Sequence, residues 1–71
     1  MEDYIEKIRK LPDQRLQSLI EGYRKTIGML DEQYRMAVKA AMIPVADYTK
    51  VEIDKKQAEL DAVEKMLAER H

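Results

Sequence analysis

The sequence predicts an all-α protein: a short N-terminal helix followed by a long antiparallel helical hairpin, coiled-coil-like and completed by oligomerisation into a helical bundle. Three observations carry this. Leu16, Ile20, Tyr23, Ile27, Leu30, Tyr34, Ala37 and Ala41 alternate spacings of four and three, the heptad pattern of a helix seam. The two prolines, Pro12 and Pro44, divide the chain into three segments, because the residue before a proline avoids the α region. Charged residues make up 38% of the 71, with both signs interspersed, as on a solvated helix surface.

The length sets one domain, residues 1–71, and a stability problem. Below roughly 70–80 residues a single core seldom supplies more than a few kcal/mol, so small folds need a staple. Disulfides are excluded by the absence of cysteine, and a structural zinc by a single histidine, His71. Oligomerisation or docking to a partner is the staple that remains.

The first helix is expected over residues 3–10. Asp3 and Glu6 resemble a capping box, Lys7, Arg9 and Lys10 suit the C-terminal end of the dipole, and Tyr4, Ile5, Ile8 and Leu11 share a stripe. Two turns are not stable alone in water, so this piece must lie on something. The long helix is expected over residues 12–42, with Pro12 at its first position. Glu21–Lys25 and Asp31–Arg35 add i,i+4 pairs outside the seam. Residues 43–48, IPVADY, are expected to form the turn, with Asp47 or Thr49 as the next N-cap. The last helix is expected over residues 48–69. It carries Ile53, Leu60, Val63 and Leu67 on its stripe, with Tyr48, Val51, Ala58, Ala62 and Met66 widening the apolar face. Lys56 occupies a seam position and is expected to snorkel to the helix edge. A short link favours antiparallel neighbours, with Val63 and Leu67 near Leu16 to Tyr23 and Ile53 near Tyr34 to Ala41.

A second line at heptad spacing, Gly22, Met29, Met36 and Ile43, lies outside the seam. A helix apolar on two sides is usually sandwiched, and methionine-rich faces adapt to varied partners. These four residues are therefore the expected partner-binding face, with Tyr4, Ile5 and Ile8 as an accessory lid. Gly22 would let another backbone approach closely, and Gly28 would ease a bend in the rod. The partner is a second copy of the chain, a helical protein, or both.

Catalytic and metal chemistry find no footing. Ser18 is the one serine and His71 the one histidine, so a nucleophile–base pair would need the chain terminus. The Glu-x-x-His motif of di-metal bundles is missing. No cofactor and no enzymatic activity are expected. Thirteen basic residues against 14 acidic ones, a net charge of −1, leave no basic excess for a nucleic acid, so a DNA-binding accessory role ranks third. No apolar run approaches a membrane span. The opening MEDYIEKIRK lacks the apolar core of a signal peptide, so a cytoplasmic location is expected.

Two stretches resemble known families. IPVADYTKVEIDKKQAELDAVEKML has a proline, then a tyrosine, then an Ala/Leu-rich amphipathic helix from Pro44 to Leu67. It resembles the small helical-hairpin co-chaperones of type III secretion needle subunits. That resemblance implies a hairpin that binds another chaperone and shields an aggregation-prone filament subunit. IEGYRK, Ile20 to Lys25, is similar to the Ile-x-Gly-Tyr-Arg motif of phage anti-CBASS sponges, oligomeric helical hairpins that sequester cyclic oligonucleotides. That resemblance implies that Tyr23 packs on a base and Lys39 helps to hold the ligand. Arg24 and Lys25 are adjacent cations that would bind phosphate. The expected function is a non-enzymatic helical interaction module (a small adaptor, co-chaperone or inhibitor of a bacterium or phage). The alternative is a cyclic-oligonucleotide sponge using Tyr23, Arg24, Lys25 and Lys39.

Overall fold

The computed structural model describes residues 1–71 as three α-helices with no strand: α1 (Glu2–Arg9), α2 (Asp13–Lys39) and α3 (Ile43–Glu69). The long helices α2 and α3 pack against each other as an antiparallel hairpin, and α1 lies back on it at the open end. The whole measures 44 × 21 × 14 Å.

Helix α1 starts one residue earlier than expected. Met1 is its N-cap, without a side-chain capping bond, and Asp3 lies inside the first turn with Glu2. Its C-terminal end is held by a residue distant in sequence. The Arg70 guanidinium donates to the Arg9 carbonyl at 2.9 Å, to the Leu11 carbonyl at 2.7 Å and to the Asp13 carboxylate at 3.0 Å. A cation thus caps the orphan carbonyls of α1 and fixes the elbow before α2. His71 also bonds to Asp13. These two partners, Arg70 foremost, hold the Asp13 carboxyl below its ordinary range.

The turn lies at Ala40–Met42 rather than over residues 43–48. Pro44 does not break a helix; it sits in the first turn of α3, where the missing N–H is harmless. Consequently Met42, not Asp47 or Thr49, is the N-cap of α3, and α3 takes in the whole segment expected to be a loop. What stops α2 is Ala41, whose φ is +56°. The Met42 N–H reaches the Ala37 carbonyl at 2.8 Å and the Ala41 N–H reaches the Val38 carbonyl at 3.0 Å. This 6→1 and 5→2 pair is a Schellman motif, with alanine in the left-handed position that usually takes glycine. At the other end Pro12 is the N-cap of α2 rather than its first helical residue, with extended ψ of 161°.

The heptad seam faces inward as expected. Leu16, Ile20 and Ala37 are buried, Tyr23, Ile27, Leu30 and Tyr34 are half-buried, and Ala41 is exposed in the turn. Across from them Ile53, Leu60 and Val63 are buried. Thr49, also buried, donates its hydroxyl to the Val45 carbonyl one turn earlier, at 2.8 Å. Lys56 is partly exposed and lies 3.7 Å from Glu59, so it does reach the rim. The largest core cluster, Ile8, Leu16, Ile20, Leu60 and Val63, sits at the open end where three helices meet, with Tyr4, Leu11, Tyr23 and Leu67 around it. The turn end has two helices and no third. Only nine of the 71 residues are buried, which is little core for a domain of this size.

Candidate partner-docking surface

The uneven core leaves a particular surface bare. Among the large apolar side chains that stay exposed, Met36, Val38, Met42, Ile43, Val45, Tyr48 and Val51 all belong to the turn half of the hairpin. Their exposures run from 44% for Val45 to 68% for Tyr48. Met29, at 59%, continues the set along α2.

The reason is the length of α1. Eight residues make a rod of about 12 Å, whereas each 27-residue helix of the hairpin spans about 40 Å. On α3, Tyr48, Val51, Lys55, Ala58, Ala62 and Met66 recur at spacings of three and four, a single stripe. Helix α1 lies over its C-terminal part, where Ile5 and Arg9 form one wall of a shallow cleft and Ala58, Ala62 and Met66 the other. The N-terminal part of the same stripe, Tyr48 and Val51, has no helix over it.

Of the four residues of the expected line, three lie on α2 and one on α3. Gly22, Met29 and Met36 are exposed on α2, as expected. Ile43 is exposed at 56%, but it opens α3 instead of closing the long helix, because the turn comes earlier. The line along α2 is thus three residues long. A Cβ on Gly22 or on Gly28 would meet nothing within 4 Å, so neither glycine is required by the packing of this chain.

The lid expectation is corrected for Ile8. At 2% exposure it is among the most buried side chains and belongs to the core itself. Tyr4 and Ile5 are half-buried. The Tyr4 and Tyr23 hydroxyls are 2.5 Å apart in a shared hydrogen bond. Burial, then this bond, pushes the Tyr23 phenol far above its ordinary range, so it stays protonated and tied to α1.

The alternative ligand set does not converge. Tyr23 is committed to Tyr4, and the Arg24 guanidinium lies 2.8 Å from the Glu64 carboxylate. Lys25 and Lys39 are exposed, but Lys39 is sixteen residues beyond Tyr23, about 24 Å along the axis. A broad open depression of about 880 Å³ runs along α2 past Gly28, Met36 and Lys39, lined by Asp31 and Glu32 as well as Arg35 and Lys39. Two acids against two bases give it no net attraction for an anion. Ser18 and His71 line different depressions, and no group of three or more His, Cys, Asp or Glu residues is placed to hold a metal ion.

Tyr48 and Val51 lie on the apolar face expected of the last helix and Val38 and Met42 flank the expected seam, but their grouping with Val45 was not legible in the sequence. Residues 43–48 look like a loop as long as Pro44 is taken for a helix breaker. The available signal was the 48–51–55–58–62–66 spacing, which places Tyr48 and Val51 on the stripe that receives α1. No helix of the chain is long and apolar enough to cross a membrane. No protein-family model, curated protein or solved structure matches the chain.

Proposed function

We propose that this chain is a non-enzymatic helical interaction module, an adaptor, co-chaperone or inhibitor, that works by docking a protein on the turn half of its hairpin. One observation carries the reading: large apolar side chains crowd the half of the hairpin that α1 does not reach. Soluble monomers seldom expose contiguous apolar patches beyond a few hundred Å², and larger ones mark interaction sites. The even charge of the surface suits a protein partner better than a polyanion. The scatter of Tyr23, Arg24, Lys25 and Lys39 counts against the nucleotide-sponge alternative, and the lack of a basic excess against DNA.

The test is the native size of the particle holding the tagged chain in gentle extracts of the cells that make it. The wild type should run above the size of a lone chain. The double variant Met36→Glu/Tyr48→Glu, altered at two exposed positions, should run as a lone helical chain. A wild type that runs alone, or a variant that runs with the wild type, overturns the proposal.

A further inference from the structure

We propose that the occupant of the turn half is a second copy of this chain, docked turn half against turn half in a twofold arrangement. This rests on the interaction-module reading and names its partner. Met36, Met42, Ile43, Val45, Tyr48 and Val51 are each 44–68% exposed. With Met29, those that share one face expose roughly several hundred Å² of apolar surface, near the lower end of what each partner brings to a specific interface.

The charges flanking the patch allow a like copy to approach. Lys50 is paired with Asp54 at 3.2 Å, and Lys55 lies 3.9 Å from Glu52. These two pairs cancel locally, Asp47 beside Tyr48 is left as a single unpaired charge, and the whole chain carries only −1. Two copies meet with little of the like-charge repulsion that opposes self-association. A twofold contact needs one self-complementary patch, and an apolar patch with nearly neutral flanks is one.

The core makes the same demand. Each hairpin has three helices at its open end and two at its turn end. Pairing the turn ends puts four helices at the centre of the dimer, with a three-helix cluster at either extremity. The missing apolar contacts of a chain with nine buried residues are then supplied by its twin. Helix α1 shows how the α3 stripe takes a helix: small residues, Ala58 and Ala62, line the cleft beside Ile5. Tyr48 and Val51 continue that stripe into the dimer contact.

The test uses the purified full chain. Sedimentation equilibrium should give a mass rising to that of a dimer with concentration. Val51→Glu, at an exposed position, should weaken dimerisation by about tenfold or more while the far-UV circular dichroism stays helical. The chain has no cysteine, so Val51→Cys gives a single thiol. A short bis-maleimide should join Val51→Cys chains in pairs and leave Glu69→Cys chains, labelled at the open end, single. A wild type that stays monomeric at millimolar concentration overturns the second-copy proposal, as does equal cross-linking from Glu69→Cys. If such a monomer still runs in a large particle in extracts, the interaction-module reading stands and the partner is another protein. If it runs alone there too, both fall.

Discussion

Replacing Ala41 with glycine should stabilise the fold, although it puts glycine between two helices that already form. Ala41 holds φ at +56°, the left-handed region, where an L side chain costs roughly 1–2 kcal/mol. Glycine removes that cost but gives up about 0.5–1 kcal/mol through its freer unfolded state. The difference is a gain of about 0–1.5 kcal/mol, centred on about 0.75, or roughly 3–6 °C in Tm at the centre for a domain of this size. The assay is thermal unfolding followed by far-UV circular dichroism at one fixed protein concentration, since association would make Tm depend on it. Ala40→Gly is the control. Ala40 has φ −85°, so glycine there relieves nothing and should lower Tm. If Ala41→Gly lowers Tm as Ala40→Gly does, the left-handed Schellman turn at Ala41 is wrong, and the break between the long helices lies elsewhere.

Gly22→Ala and Gly28→Ala should each stabilise the isolated chain by about 1 kcal/mol, because an added Cβ meets nothing; chemical denaturation measures it, and a loss at either site would mean that a close neighbour is present. Ile8→Ala should cost about 2–4 kcal/mol, whereas Met36→Ala, at 64% exposure, should stay within about 0.5 kcal/mol in the isolated chain. Equal effects would show that α1 is not docked. The clamp at the α1–α2 elbow should respond to acid. The pKa of Asp13 in the folded chain is held below its value of 3.8 in the unfolded chain, so its contribution is present at neutral pH and fades as pH falls below about 4. Asp13→Asn should therefore lose less Tm than the wild type between neutral pH and about pH 3, and an identical loss would refute the clamp.

The fold class was legible because the heptad seam is long and regular: eight positions from Leu16 to Ala41 leave little choice but a helix with one packed face. The antiparallel register followed from the same pattern, and Leu16, Ile20, Leu60 and Val63 meet as their spacing implies. The turn was misplaced for a local reason. Proline marks the first turn of a helix as readily as its end, and Pro44 was read as an end. The true stop, Ala41, carries no glycine or asparagine signal, because the hydrogen bonds from Ala41 and Met42 to Val38 and Ala37 impose the left-handed conformation on an ordinary residue. The apolar stripe of α1 was legible, but the contacts that cap its end were not. The cap comes from Arg70, which lies almost a whole chain length away and reaches α1 only once the hairpin has closed. The candidate site followed the turn. With residues 43–48 taken as a loop, Val45 belonged to no face and Tyr48 stood only at the start of the last helix; with α3 beginning at Ile43, both join Val51 beside the exposed end of α2.

A photo-cross-linking amino acid placed singly along α3, in the cells that make this protein, tests the docking surface most directly. Protein adducts should form from positions Tyr48 and Val51, and none from position Glu69 at the exposed open end. Adducts spread evenly along the helix, or none from Tyr48 and Val51, would contradict the docking surface.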